Sequence, residues 1–404
     1  MPIPRPNGPP GAYFSSLGVD ANLLKRVMDA ALARGGEDCD LYFQHQSSCS
    51  VQLSDSKVNQ AHTQVDLGMG VRVIVGDQVG YAYSEELSAD SLIAAARAAA
   101  EIASGKGSGK AEIPQGRRIP DYTPVVKPWH SVRMDQRVNL VREWEQSAFA
   151  TSNEVQRVQA YLADSAQVVM IVRPDGRLFE DWRPSTIAFV QCTAERNGIR
   201  ESANYNVAAR SGLEYYTKER QGRLVQEAVD RTRFLLGADK PPAGEMPVVL
   251  AAGPSAILLH EAIGHGMEAD FAKKGTSIYA DKMGKRIACD DVTIIDDGTI
   301  PGSRGAINVD DEGNATERTV LVENGVLNSY IHDEISARHY KVKPTGSGRR
   351  QSFRHAPIPR MRATMMMGGP RDPEEIIQSV EKGLYCMTFS NGQVNIGGVI
   401  FRST

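Results

Sequence analysis

Hydrophobic and polar positions follow one order twice along this chain. From Asp20 to Arg34, Leu23, Leu24, Val27, Ala30 and Ala31 recur at helical spacing, and Gly35-Gly36 stops the helix. A run of strands follows from Asp38 to Ser84, including Leu41-Tyr42-Phe43 and Val71 to Val75, with a turn at Gly76-Asp77. Ser88-Ala89-Asp90 then caps an Ala-rich helix reaching about Ala103. Its apolar side is read as packing surface. Ser104 opens a Gly- and Pro-rich linker that continues to about Pro128. The second unit has a helix from about Arg133 to Ala150, strands from Val155 to Ala209 and a charged helix from about Glu219 to Leu236. Arg173-Pro174-Asp175-Gly176 is a turn between two of its strands.

A third region begins with Met246 to Ala251, an apolar run of strand length, and Gly253-Pro254 supplies a helix start. The pattern predicts a helix from Pro254 to about Asp270. At about 100° per residue, His260, Gly264, Glu268, Glu261 and His265 share about 140° of arc. Leu259, Ala262, Ile263, Gly266 and Met267 lie opposite. The fold class expected is α+β, with mixed, strand-rich layers, flanking helices and a C-terminal domain built around the His260 helix. The expected boundaries are 1–115, 116–240 and 241–404.

His260-Glu261-Ala262-Ile263-Gly264-His265 concentrates two imidazoles and a carboxylate in six residues. In the common H-E-x-x-H motif the histidines are four apart and share a helix face. Here they are five apart, and a regular α-helix would splay them by about 140°. Gripping one ion therefore predicts a π-type turn or a break near Gly264. Neutral imidazoles would provide two zinc ligands, a third protein group completes the set, and water keeps the open position. Glu261, next to the first imidazole, is the natural base for that water, and amide hydrolysis is the reaction class.

The segment His260 to Asp270, with Asp296-Asp297-Gly298-Thr299, Asp310-Asp311-Glu312-Gly313, Gly348-Arg349-Arg350-Gln351 and Pro359-Arg360-Met361, resembles the TldD/PmbA family of metallopeptidases. Members of that family were once described as modulators of DNA gyrase. The H-E-x-x-x-H motif places the chain on the TldD side. The resemblance implies His260 and His265 as ligands of one Zn2+ and Glu261 as catalytic base. It also implies a homodimer, or a heterodimer with a PmbA-type subunit, whose inner cavity admits peptide substrate. Two departures stand out. Arg362-Ala363-Thr364 replaces the family's usual Thr-Asn-Thr, and the Cys-Gly-Lys-like segment carrying the third ligand is not found before Thr404. The expectation is a C-terminally truncated chain. The competing reading is a catalytically silent binding or assembly subunit.

Without that cysteine, Glu268 is either a substitute ligand or a support for a ligating histidine. Cys386 is read as a buried small residue and His332 as a solvated strand-end histidine. Asp310 to Gly313 reads as a solvated turn before a strand over Glu317 to Val322. Arg349, Arg350, Arg354, Arg360 and Arg362 are either an exposed loop or a clamp on substrate carboxylates, with Arg350 and Arg360 as its contacts. Gly346-Ser347-Gly348 would make that loop mobile.

A net charge of −3 over 404 residues gives no reason to expect nucleic-acid binding. Five scattered cysteines are poor material for disulfides. Met1 to Pro6 lacks the apolar core of a signal peptide, and no segment has the apolar length of a membrane helix. The expected compartment is the cytoplasm, with no membrane partner.

Overall fold

The computed structural model describes residues 3–107, 109–240, 242–388, 392–395 and 400–403. It joins the two helix–strand–helix units through a shared sheet. β1 (Asp38–Ser54), β2 (Lys57–Val75), β3 (Gln78–Ser84), β4 (Val155–Val172), β5 (Arg177–Arg196) and β6 (Ile199–Ala209) lie in the order β3-β2-β1-β4-β5-β6, all antiparallel. The two units meet where β1 pairs with β4, from Leu41 opposite Val172 to Ser54 opposite Gln159. Within the expected linker, Gln115–Gly116 adds a short parallel bridge to β5.

Residues β1, β2, β4 and β5 are 17 to 20 residues long, about three times the usual strand. The first long hairpin turns at Asp55-Ser56, both at positive φ (52° and 60°), as a two-residue turn matched to strand twist requires. The expected helices appear within a residue or two of their predicted ends: α1 (Ala21–Leu32), α2 (Ala89–Ile102), α3 (Met134–Thr151) and α4 (Lys218–Leu235). Asp20 caps α1 by accepting from the Leu23 amide at 2.8 Å, and Ser88 caps α2 through the Ser91 amide at 3.3 Å.

All four helices cover one face of the sheet. Under α1 and α2 lie Leu41, Phe43, Val71, Val73, Val168 and Met170. Under α3 and α4 lie Val51, Leu53, Val158, Ala160, Leu162 and Val190. Residues on each strand keep one parity throughout, as strand alternation demands. The other face begins with Tyr42, Val169 and Ile171, which Val309 and Phe353 of the C-terminal region cover. That region has its own sheet, in which Ile294–Asp297 lies between Arg318–Glu323 and Thr364–Met366, and Val326–Leu327 pairs at the outer edge.

The acidic segment at Asp310 to Gly313 is not a solvated turn. Asp310, Asp311 and Glu312 are buried; Asp311 and Glu312 hold the C-terminal region to the large sheet, and Asp310 accepts from amides within that region. Arg72 on β2 donates to Asp40 on β1 at 2.6 Å and to Glu312 at 2.6 Å. Arg183 on β5 donates to Asp181 at 2.9 Å and to Asp311 at 2.5 Å. Asp311 also accepts from the Arg350 amide at 2.7 Å, and the Arg350 guanidinium pairs with Asp40. Three buried acids are tolerated because each has buried partners; without them desolvation would dominate.

Candidate metal centre

The predicted helix is real at its centre but wound in pieces. Val248–Leu250 leads in, paired parallel to Leu384–Cys386. A 3-10 turn at Pro254–Ala256 and one α turn at Ile257–Leu259 follow. His260–Gly264 is then a π turn, closed by the His265 amide donating to the His260 carbonyl. His265–Met267 tightens to 3-10, Glu268 is extended (φ −68°, ψ 119°), and Ala269–Lys273 resumes as α-helix. The expected distortion therefore falls between the histidines. The uninterrupted helix to Asp270 does not form, because the chain opens at Glu268.

The π turn widens the helix by one residue, so positions five apart come to stack. The His260 and His265 ring centroids are 4.8 Å apart, with the rings inclined at 84°. One ligand atom from each of His260, Glu261 and His265 lies within 4.8 Å of the others. Burial, followed by the neighbouring His265, holds the His260 imidazole below its usual pKa. His265 is shifted upward, chiefly by its hydrogen bond to Glu268.

Glu268 is fully buried and is not among the atoms that converge with the two imidazoles. Its Oε2 receives His265 Nδ1 at 3.1 Å and Arg360 Nη1 at 2.5 Å. The extended backbone at Glu268 forms a parallel bridge to Ile331, with the Ala269 amide donating to the Ile331 carbonyl at 3.0 Å. This bridge turns the Glu268 carboxylate back under the ring.

Gly264 sits in ordinary right-handed helical space (φ −56°), so distortion does not explain it. Space does: a Cβ there would come 1.9 Å from Met361 Sδ. Met361 thus forms the floor beneath the π turn, a role the sequence alone did not reveal. The Tyr279 hydroxyl donates to the Ala262 carbonyl at 3.3 Å, and Ser277 Oγ donates to the Gly266 carbonyl at 2.5 Å. Gly264→Ala is expected to lower stability by about 1–3 kcal/mol through overpacking. It should also weaken metal binding, read by thermal unfolding with and without added zinc. An unchanged melting curve would show that Met361 moves aside freely.

Other expectations are corrected by burial. Arg350 does not face a substrate: its side chain is fully enclosed and donates to Asp40, to the Tyr81 hydroxyl at 3.0 Å and to the His355 carbonyl at 3.2 Å. Arg360 is different, since its side chain keeps 30% of its exposure beside Glu268. Gly346 to Gly348 is enclosed rather than open, with the Gly348 amide donating to Asp310 at 3.0 Å. Cys386 is half-buried in its short strand, not a core residue.

His332 is buried rather than solvated, with Nδ1 3.2 Å from Ser336 Oγ. Burial pulls its pKa from 6.5 down to about 4. In the unfolded chain the ring takes its proton more readily than in the folded one. Its contribution is therefore complete above pH 6.5 and is lost as pH falls from 6.5 to 4, by up to about 3 kcal/mol. Urea unfolding at pH 7 and 4.5 should show a smaller pH-dependent loss in His332→Gln than in the wild type. Equal losses would refute this linkage.

A helix wound to point two imidazoles and a carboxylate at one spot, on an α+β scaffold, is the arrangement of a metal-dependent hydrolase. Family models described as PmbA/TldA metallopeptidase domain 1, central domain and C-terminal domain match residues 39–103, 127–236 and 243–403. A metalloprotease TldD homolog of Buchnera aphidicola is 36% identical over 374 residues, covering 90% of this chain and 77% of the relative. A homolog of the same name in Haemophilus influenzae is 34% identical over 393 residues, covering 94% and 81%. The solved structure of TldE from Thermococcus kodakarensis shares the fold, with TM-score 0.77, 17% identity and coverage of 94% and 86%. The chain belongs to the PmbA/TldD metallopeptidase family, among its TldD-type members.

Proposed function

We propose that this chain is a zinc-dependent peptidase acting on peptides or unfolded protein segments, with His260 and His265 holding the ion and Glu261 as general base. The observation that carries the reading is the π turn, which gathers His260, Glu261 and His265 within 4.8 Å. The donor set suits zinc: two imidazoles, one of them kept neutral by burial, with a carboxylate alongside. When bound, zinc supplies Lewis acidity that makes a water molecule ionisable near neutral pH. Glu261 takes that proton and returns it to the leaving amine.

Glu268 is a positioning residue in this reading. By accepting from His265 Nδ1 it fixes the tautomer and leaves Nε2 free to ligate, while Arg360 holds the carboxylate in place. The other donors of Arg360 are available to a peptide carbonyl or carboxylate. We also place the enzyme in the cytoplasm, beside a second copy or a PmbA-type subunit around a shared cavity. Five unpaired cysteines suit a reducing compartment, and no helix among the described residues is long and apolar enough to cross a membrane.

Metal analysis tests the reading directly. The wild type should carry about one zinc per chain, and Glu268→Gln should bind it about 10–100-fold more weakly in competition with a chelator. No zinc in the wild type would sink the metallopeptidase. Unchanged affinity in Glu268→Gln would remove Glu268 from its positioning role.

A further inference from the structure

The seam between β6 and the C-terminal region holds more positive charge than its carboxylates answer. Arg210, the residue after β6, donates its amide to the Gly302 carbonyl at 3.1 Å and Nε to the Arg304 carbonyl at 3.3 Å. Arg362 donates Nη2 to the Gly348 carbonyl at 3.1 Å and to the Gly346 carbonyl at 3.5 Å. Carbonyls alone receive these two side chains. Neither forms an ion pair among the described residues, nor does the exposed Arg349.

The charges act on one another. Burial, then the guanidiniums of Arg183 and Arg362, push the pKa of Arg210 down to about 10; Asp181 opposes this and Arg349 adds to it. Burial shifts Arg362 downward as well, although Asp311 and Asp310 oppose the fall. Those acids are already committed. Asp181 and Asp311 accept from Arg183. Asp310 accepts from the amides of Glu312, Asn314 and Gly348. Asp296 accepts from the Arg362 amide and the Thr364 hydroxyl.

Two polar atoms are left over in the same place. Arg362 Nε and Thr316 Oγ1 are enclosed and have no hydrogen-bond partner, and Thr316 is only 7% exposed. A Cβ on Gly298 would stand 2.1 Å from Thr316 Oγ1 and 3.3 Å from Arg362 Cγ, so the hydroxyl and the arginine stem are neighbours. Enclosed polar atoms carry a desolvation cost unless water or an ion completes them. Water would complete the hydroxyl but would not offset the crowded guanidiniums. An oxyanion does both, since its oxygens accept from hydroxyl and guanidinium and its charge relieves their repulsion. Arg210 and Arg362 keep partial exposure, so solvent, and a small anion with it, reaches them. Arg362 also stands where the family usually has Thr, which makes this charge an addition to the shared pattern.

We propose that Arg210, Arg349, Arg362 and Thr316 form a site for one small oxyanion, using none of the residues of the metal centre. Phosphate, sulfate and a carboxylate share the chemistry required, negative oxygens that a guanidinium fork grips in pairs. The occupied site ties β6 to the C-terminal region, because Arg210 comes from one side and its three companions from the other.

Isothermal titration calorimetry of the full chain with inorganic phosphate, at an ionic strength fixed with chloride, tests the site. One phosphate per chain should bind with a dissociation constant of about 1 mM or tighter. Arg362→Thr and Arg210→Gln should each weaken it by about tenfold or more. The exposed Arg349→Gln should weaken it by about threefold, and it guards against a folding defect in the other two. Arg34→Met, which removes a surface arginine paired with Glu101, should change nothing. Zinc-stripped protein should give the wild-type constant. Binding that disappears with the zinc would move the anion to the metal centre and overturn the proposal. Absence of saturable binding would overturn it too, as would equal affinity in all four variants. Competition on the zinc-stripped chain, which cuts nothing, then identifies the source of the oxyanion. Displacement of phosphate by a capped Glu-containing peptide, but not by its Gln twin, would assign the site to a peptide-borne carboxylate. Displacement by neither would assign it to a free ion. Since no turnover is read, failure of the peptidase reading would leave this result standing.

Discussion

Glu261→Gln should keep its zinc and lose peptide cleavage by about 10²–10⁴-fold, the contribution of a well-placed general base. The substitution keeps the shape of the side chain and removes only its capacity to take a proton. Glu261 sits between the two imidazoles in sequence, and the π turn brings its carboxylate to within 4.8 Å of their ligand atoms. His260→Ala and His265→Ala are expected to fail earlier, by losing the metal itself. The two classes separate on zinc content: metal present without turnover for Glu261→Gln, metal absent for the histidine variants. Cleavage by Glu261→Gln at the wild-type rate would place the base elsewhere. Loss of metal in that variant would instead make Glu261 a ligand.

The π turn was legible in the sequence because it follows from six residues and one geometrical requirement. Two rings five positions apart cannot meet on a regular helix, so the helix had to yield. What followed it was not legible. The helical pattern put Glu268 on the face of His260, but its backbone pairs with Ile331 and leaves the helix, which turns the carboxylate onto His265 instead. That choice depends on a segment more than sixty residues downstream. The same limit explains Asp310 to Gly313. Three acids before a glycine have every local mark of a solvated turn, and the partners of Glu312 and Asp311, Arg72 and Arg183, lie 240 and 128 residues away. Periodicity reports which way a residue faces along its own element. It carries no record of which charge will be waiting there.

Arg72→Met should destabilise the protein by about 3–5 kcal/mol, the cost of removing one partner from a buried ion pair. The Arg72 side chain and both of its partners are fully buried. Asp40 would retain Arg350, with Arg173 at 3.7 Å. Glu312 would not be so fortunate. Burial already pushes its pKa up to about 8 with Arg72 opposing that rise, and the variant would leave it neutral or uncompensated. Since Arg72 belongs to β2 and Glu312 to the C-terminal region, the loss should loosen the docking of the metal-bearing region on the large sheet. Hydrogen exchange should therefore quicken at Asp310 to Gly313 before it does within β1 and β2. Arg34→Met is the matched surface control: its pairing with Glu101 is about 60% exposed, and its loss should cost under about 1 kcal/mol. Adding Glu312→Gln to Arg72→Met should recover part of the stability, because it removes the stranded charge along with its partner. If Arg72→Met costs no more than the surface control, the buried cluster does not hold the two parts together, and apolar packing around Phe353 must do so instead.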